Sequence, residues 1–144
     1  MKYTLIIDKG CEPEVVIRAG EKTEEVMRII AACEESSMLF GYDGQSALRL
    51  DVDEVYAFVS EGDRVYALLA EGRIAVKERL YILLSRYSSS FVKINQSCLG
   101  NISKIERFSV SFGGSLVVKF KNGYSDYVSR REIKRVKERI GVKL

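Results

Sequence analysis

Short apolar runs separated by turn-forming residues dominate the middle and the end of the chain. Four such runs, at 46–50, 55–59, 64–69 and 73–76, are divided by segments rich in Asp, Glu and Gly, which is typical of an antiparallel meander. Three more follow at 102–112, 116–121 and 124–128. The last two flank Asn122-Gly123, a pair that favours a type I′ hairpin turn. The pattern predicts a mainly β fold of the α+β class, built from antiparallel sheets.

Three segments have helical character. Thr23 offers an N-cap, and Val26, Ile29, Ile30 and Cys33 then recur at the spacing of one helix face. Residues 77–87 predict a short helix between the sheets, with three leucines at helical spacing and a serine cluster at its end. Residues 129–132, Ser-Arg-Arg-Glu, fit a capping box, in which the serine and the glutamate each bond to the other's backbone amide. We therefore expect a C-terminal helix to begin at this box.

The first part of the chain predicts a small β-β-α appendage. Residues 3–7 and 14–18 are apolar and β-branched and flank a turn-like segment at 9–13, so they could pair as strands ahead of the first helix. Residues 36–44, with their glycines, are interpreted as a connection. We therefore predict an appendage at 1–44, serving packing or dimerisation, and a main domain at 45–144.

Composition favours a packed chain of 144 residues, because 47% of it is apolar, 30% is charged and it has one proline. We find neither a membrane-length apolar run nor a signal-peptide pattern at the start, so we expect a cytoplasmic location. Three cysteines without CxxC spacing predict reduced thiols, with Cys98 as a small buried filler. No cofactor is expected.

Charge is distributed unevenly along the chain. Residues 1–90 hold 11 Lys+Arg against 16 Asp+Glu, a net charge of −5, whereas residues 91–144 hold 12 against 4, a net charge of +8. A basic end suits a polyanion such as DNA or RNA, although a solvated helix face would give the same count. Arg130 and Arg131 bear on the choice between these two explanations, because cations at a helix start oppose the helix dipole. They could instead face phosphate or guanine, or be a tolerated exposed pair.

Catalytic and metal-binding patterns are scarce. The chain has no histidine, which excludes His-based acid–base catalysis, Ser-His-Asp triads and imidazole metal sites. The glycine-rich pieces at 41–44 and 113–114 match neither a P-loop nor a dinucleotide-binding fingerprint. The acidic pairs at 24–25 and 51–53 are better explained as a helix start and a turn than as Mg²⁺ ligands. We therefore predict neither an enzyme nor a metal site.

Residues 91–105, FVKINQSCLGNISKI, resemble the core motif of LytTR DNA-binding domains, in which F-x-R-x-x-x-S-x-x-V-N precedes a link to an isoleucine. The close resembles that family too: Lys121-Asn122-Gly123, a strand, then Val128-Ser129-Arg130-Arg131 before a final helix. Upstream, residues 53–60 are similar to the family's D-I-x-Y-I-E-S strand, and residues 77–80 to the helix after the meander. Together the similarity covers about residues 45–140.

This resemblance implies a transcriptional regulator whose loops, rather than a recognition helix, read the DNA major groove. The base-contacting positions of the family would fall at Asp63 with Arg64, at Asn95 with Gln96, and at Arg130. Arg64 is favoured over Asp63, because a carboxylate repels phosphate and only accepts hydrogen bonds from cytosine. The predicted DNA-binding residues are Arg64, Lys93, Asn95, Gln96, Ser97, Asn101, Lys104, Arg130 and Arg131.

Roles differ within this set. Amides suit adenine and Arg130 suits guanine, whereas Lys93, Lys104 and Arg131 would hold phosphates. Ser97 and Asn101 could contact DNA, or only brace the loop through backbone hydrogen bonds. Asn95 stands where the family often has a histidine, and Gly100 where it has a branched apolar residue.

The resemblance also implies partners. We expect a homodimer on paired DNA repeats, and no phosphoacceptor receiver domain, since 40 residues are too few for one. The rival hypothesis is a β-rich protein-interaction module, accessory to a signalling or membrane partner, whose basic end only favours solubility. RNA is less favoured, because no exposed aromatic pair for base stacking is evident.

Overall fold

The computed structural model describes residues 1–33 and 38–143. Within them, ten strands form two sheets, accompanied by three helices. The strands are β1 (Leu39–Asp43), β2 (Ser46–Leu50), β3 (Ala57–Glu61), β4 (Arg64–Leu68), β5 (Arg73–Val76), β6 (Phe91–Asn95), β7 (Cys98–Asn101), β8 (Ile105–Val110), β9 (Leu116–Phe120) and β10 (Ser125–Tyr127). The helices are α1 (Glu24–Cys33), α2 (Leu80–Arg86) and α3 (Ile133–Ile140), and short 3-10 turns lie at Val52–Glu54 and Ile102–Lys104. The predicted fold class, antiparallel sheets with a helix between them and another at the end, is confirmed.

The larger sheet has seven antiparallel strands in the order β2-β1-β5-β4-β3-β7-β6. The meander prediction is right for β3, β4 and β5, which pair in sequence order. It is wrong for β2, which pairs with β1 at the sheet edge rather than with β3. The prediction failed because residues 36–44 were interpreted as a connection. Residues 39–43 are instead a strand, which takes the place beside β5, whereas 36–37 lie outside the described residues.

Alternation along the strands of this sheet divides the interior into two cores. In β3, Ala57 and Val59 face one core and Phe58 faces the other. The first core lies under the small sheet and α3, and it contains the fully buried ring of Phe120. The second lies under α2, where the rings of Phe58 and Phe91 have centroids 5.0 Å apart. Period-2 patterning on both faces thus makes the sheet the middle layer of the fold.

Gly100 explains one departure from the family pattern. A Cβ at this residue would lie 2.8 Å from Cζ of Phe120 and 3.1 Å from Cγ1 of Ile94. The missing side chain therefore makes room for the aromatic ring. Burying a side chain of this size contributes roughly 1.5–3 kcal/mol, which outweighs the small cost of a glycine in a strand.

The smaller sheet has the order β10-β9-β8. Its second hairpin is present, but the predicted type I′ turn is wrong: Asn122 does not have a positive φ, whereas Gly123 has φ 92°. Gly123 donates to the Phe120 carbonyl over 2.9 Å, which makes Lys121-Asn122-Gly123 a three-residue loop with glycine in the left-handed position. Asn122 is used elsewhere, since its Nδ2 donates to the Leu69 carbonyl over 3.0 Å.

The N-terminal segment agrees with its prediction only in the helix. Helix α1 begins after Thr23, whose Oγ1 accepts from the Val26 amide over 3.3 Å, and Val26 is buried. Glu24 bridges to Arg135 of α3 over 3.2 Å. The predicted strands at 3–7 and 14–18 are wrong, because residues 1–23 of the structure form no strand and most of their apolar side chains stay exposed. A strand requires a partner, and neither segment pairs with a strand of the two sheets.

The predicted boundary between residues 44 and 45 falls in the turn of the β1–β2 hairpin, so backbone pairing joins its two sides. The division into appendage and domain therefore stays a prediction. Over the described ranges, no helix has the length and apolar character that crossing a membrane demands. All three cysteines are free, with Cys98 buried as predicted.

Candidate nucleic-acid interface

The turn between β6 and β7 is fixed by the side chain of Asn95. Its Oδ1 accepts from the Ser97 amide over 2.8 Å, and its Nδ2 donates to the Tyr127 carbonyl of β10 over 2.8 Å. Both halves of the amide are thus engaged within the protein. Gln96 and Ser97, by contrast, are exposed at the tip of the turn. The arrangement makes Asn95 a positioning residue that presents Gln96.

The turn between β3 and β4 lies beside that tip. The Ser60 amide donates to the Ser97 carbonyl over 2.9 Å, which joins the end of β3 to the β6–β7 turn. Asp63 and Arg64 follow directly and are exposed. They share with Gln96 the lining of one groove of about 480 Å³, which we call the loop groove. Two of the three predicted contact loops therefore meet in one place.

The third predicted loop, after β10, meets the same strand end. The Ser129 amide donates to the Ile94 carbonyl over 2.9 Å, so Arg130 and Arg131 follow one and two residues after a bond to β6. Both arginines are exposed. The turn that carries Arg130 therefore lies beside the β6–β7 turn of Asn95 and Gln96.

The predicted capping box at 129–132 is wrong. Helix α3 begins at Ile133, with Glu132 at the N-cap and no side-chain capping bond there. Residues 129–132 form a turn instead, closed by the Glu132 amide donating to the Ser129 carbonyl over 2.9 Å. The bond of Ser129 to β6 holds its backbone outside the helix, and the Glu132 carboxylate lies 3.8 Å from Arg135. The arginines therefore lie on a turn rather than in the first helical turn, which removes their conflict with the helix dipole.

The charged residues of the loop groove give it a net positive charge. Lys93 of β6, one of the predicted DNA-binding residues, lines it together with two residues that the predicted set omits, Lys77 and Arg79. Both are exposed and lie in the bend ahead of α2, which begins at Leu80 rather than at Lys77 as predicted. The signal was available, because the leucines at helical spacing begin only at Leu80. With Arg64, four cationic side chains face two carboxylates in this groove, those of Asp63 and Glu78.

Asn101 does not belong to this surface. Its side chain is buried, 1% exposed; Nδ2 donates to the Val55 carbonyl over 2.8 Å, and Oδ1 accepts from the amide and hydroxyl of Ser103. A group enclosed in this way cannot reach DNA. The prediction of Asn101 as a DNA contact is therefore wrong, and its bracing role, the alternative, is what the structure has.

Lys104 lies away from the three turns. It follows β7, whose last residue, Asn101, pairs with Phe91 at the end of the β6–β7 hairpin opposite the turn. Four residues of strand separate the two ends, about 13 Å. The Lys104 ammonium lies 5.1 Å from the centre of the Tyr56 ring, in a cation–π contact. Its role as a phosphate contact therefore stays a prediction.

Polar groups behind the turn are kept neutral by burial. Cys98 begins β7 directly after the turn, and burial, assisted by Asp126, raises the pKa of its thiol. Burial also raises the pKa of Tyr124, whose hydroxyl donates to Oδ2 of Asp126 over 2.8 Å. The thiol and the phenol therefore remain protonated near neutral pH, and they support the turn without adding charge.

Comparison with known proteins agrees with this architecture. The sequence matches the family model of the LytTr DNA-binding domain over residues 45–141. Among solved structures, the LytTr DNA-binding domain of a protein described as a methyl-accepting/DNA response regulator from Bacillus cereus is similar with a TM-score of 0.68. At 14% identity, covering 74% of this chain and 100% of that chain, this likeness shows the fold alone. No curated protein matches the chain significantly.

The family resemblance predicted from the sequence is therefore confirmed over nearly the same residues. LytTR is a family of DNA-binding domains, typically those of transcription regulators, and not a family of enzymes. The match spans more than half of the sequence, and the fold agrees with it. This chain belongs to the LytTR DNA-binding domain family.

Proposed function

We propose that this protein binds double-stranded DNA sequence-specifically, as a transcriptional regulator, with its loops in the major groove. The observation that supports this most directly is the convergence of three turns on one strand end. The Ser60–Ser97 bond joins the first two turns, and the Ser129–Ile94 bond brings in the third. Amide and guanidinium groups from these turns would face one stretch of duplex, whose major-groove edges suit both.

The proposed roles separate base reading from positioning. Gln96 would bond adenine, and Arg130 and Arg64 would bond guanine, each through paired hydrogen bonds. Asn95 and Ser97 position Gln96. The proposed phosphate contacts are Lys93 and Arg131, joined by Lys77 and Arg79 from the bend ahead of α2.

We further propose a homodimer on paired repeats of the DNA site, acting in the cytoplasm. The resemblance to LytTR domains implies paired repeats, and on each repeat one copy would place its three turns. Sedimentation on and off DNA measures this directly. Monomers alone at high concentration, and one chain per DNA site, would overturn the dimer without affecting DNA binding itself.

The test of DNA binding starts with selection of bound fragments from genomic DNA, followed by titration of the recovered site by fluorescence anisotropy. Arg130→Ala should weaken binding of that site by about 1–3 kcal/mol, and Lys93→Ala should weaken binding of all sequences and reduce the salt slope by about 1. Arg107→Ala is the matched control, because Arg107 is exposed on β8, away from the three turns. We expect Arg107→Ala to bind the recovered site with the affinity of the wild type.

A protein-interaction module remains the second candidate, favoured by exposed apolar side chains near the N-terminus. Tyr3 is 92% exposed, and Leu5, Ile6 and Ile7 are each at least 75% exposed. Such a module would recover no DNA fragment above background. Equal DNA affinities for Arg130→Ala and Arg107→Ala would instead refute the proposed base contact of Arg130.

A further inference from the structure

A second cavity, of about 340 Å³, lies between α1, α2, β6 and α3, and we call it the helix cavity. Its apolar lining comes from Met27 of α1 and from Tyr81 and Leu84 of α2. This volume falls at the lower end of the range of about 300–1,000 Å³ in which proteins hold small organic ligands. The cavity is thus large enough for a small molecule with an apolar body.

The rim of the helix cavity is cationic. Lys22, Lys93, Arg135 and Arg139 line it, against the carboxylate of Glu24. That carboxylate is already paired, since its oxygens lie 2.9 Å from Arg28 and 3.2 Å from Arg135. An anionic group on a ligand would therefore meet a net positive rim above an apolar floor.

Arg139 gives the cavity a fixed wall. Its Nη2 donates to the Ser88 carbonyl over 2.9 Å, which ties α3 to the end of α2. Burial lowers the pKa of its guanidinium, yet the group stays charged near neutral pH because an arginine loses its proton only in strong alkali. A partly desolvated cation gains more from an anionic partner than one in bulk water does.

The helix cavity and the loop groove share a wall. Lys93, Tyr81 and Leu84 line both. In β6, Val92 and Ile94 both face the small sheet. Side chains alternate along a strand, so the side chain of Lys93, which lies between them, projects on the opposite face, the one that carries α2. Its single ammonium group can turn to one side or the other. An anion in the helix cavity and a DNA phosphate would compete for it.

We propose that the helix cavity binds a small organic monoanion with an apolar body, an alkyl or aryl carboxylate, and that the bound anion pairs with Lys93 and so weakens DNA binding. The first half of this proposal is independent of the function proposed above, and the second half rests on it. The bound ligand would act as an inducer, reducing the affinity of the protein for its operator. By linkage, DNA would reduce the affinity for the ligand by the same factor.

The ligand half is tested by calorimetry of the full chain with 4-phenylbutanoate and with its neutral match, 4-phenylbutan-1-ol. We expect one site per chain, with the acid bound about 10-fold or more tightly than the alcohol, because charge-assisted bonds to the rim favour the anion. Equal affinities for the two compounds, or no heat from the acid at millimolar concentration, would overturn the site.

Location is tested by filling the cavity. Ser85 lines it, so Ser85→Trp should abolish binding, whereas Ser109→Trp, on the exposed face of β8, should bind as the wild type does. Circular dichroism checks that both variants fold. Lys22→Gln, at an exposed residue of the rim, provides a second reading that needs no bulk: it should weaken binding of the acid and leave that of the alcohol unchanged. Unaltered binding of the acid by both Ser85→Trp and Lys22→Gln would refute the location.

Coupling is measured by titrating the selected DNA site with and without saturating 4-phenylbutanoate. We expect the acid to weaken DNA binding of the wild type about 5-fold or more and to have no effect on Lys93→Met, whose DNA affinity is already reduced. If saturating acid leaves the DNA affinity of the wild type unchanged, the coupling is wrong, but the ligand site is unaffected. A chain that binds no DNA would overturn the function proposed above, while the calorimetry would still decide the site.

Discussion

Substitution of Asn101 by alanine distinguishes a bracing residue from a DNA contact. The change removes three hydrogen bonds: from Nδ2 to the Val55 carbonyl, and from the Ser103 amide and hydroxyl to Oδ1. It leaves the carbonyl of a fully buried residue without this donor and deprives the 3-10 turn at Ile102–Lys104 of its N-cap. The unpaired carbonyl and the missing cap both destabilise the folded protein itself.

Their magnitude follows from the burial of the site. A buried carbonyl left without its donor costs about 1–3 kcal/mol, and a lost cap about 1 kcal/mol, so we expect Asn101→Ala to lower the free energy of unfolding by about 2–4 kcal/mol. Urea unfolding followed by circular dichroism measures this. With a slope of about 2 kcal/mol per molar urea, the midpoint should fall by about 1–2 M.

Gln96→Ala is the matched control, since Gln96 is an exposed amide at the tip of the β6–β7 turn. It should leave the urea midpoint unchanged and weaken DNA binding. Asn101→Ala, once its folded fraction is taken into account, should bind the selected DNA site with the affinity of the wild type. An unchanged midpoint for Asn101→Ala together with lost DNA binding would refute the reasoning.

Three more predictions concern Gly100, Cys98 and the two exposed cysteines. Gly100→Ala should lower the free energy of unfolding by about 1–3 kcal/mol, because its Cβ would press on the Phe120 ring; the same urea titration measures it, and a stabilised variant would contradict the packing argument. Stability should also fall as pH rises above about 9, because folding raises the pKa of Cys98 above its ordinary value of 9.0 and so holds the thiol protonated, while the unfolded chain ionises it. Urea midpoints from pH 7 to 10.5 test this, with Cys98→Ala expected to lose part of the dependence. Iodoacetamide should alkylate the exposed Cys11 and Cys33 well before Cys98.

Much of the fold was predictable, because alternation of apolar and polar residues depends on local geometry. Strands β2 to β5 and β8 to β10, and the helix after Thr23, emerged near their observed bounds for that reason, whereas β6 and β7 were not predicted as strands. Which strands are neighbours was harder to predict. At the sheet edge β2 pairs with β1, and the sequence of β1 resembles a loop because of Gly41 and Asp43-Gly44. Residues 3–7 have strand propensity without a partner, and propensity alone does not form a sheet.

The site was predictable by position along the chain, and less so by the role of each side chain. The family motif located all three turns, and hydrogen bonds at Ser97 and Ser129 bring them together. The motif could not show that the Asn95 side chain donates to the Tyr127 carbonyl or that the Asn101 side chain faces the interior. The orientation of these side chains depends on how β6, β7 and β10 are placed next to one another. Lys77 and Arg79 were missed for the opposite reason: the helix was started three residues too early.

The bond between the Asn95 side chain and the Tyr127 carbonyl links the edges of two different sheets. Together with the Ser129–Ile94 bond it fixes the spacing between the Gln96 tip and the Arg130 turn before any partner arrives. A surface arranged in advance loses little conformational entropy on docking. Recognition by this edge would then resemble the meeting of two rigid bodies, with the adjustment left to long side chains and to the bending of the double helix.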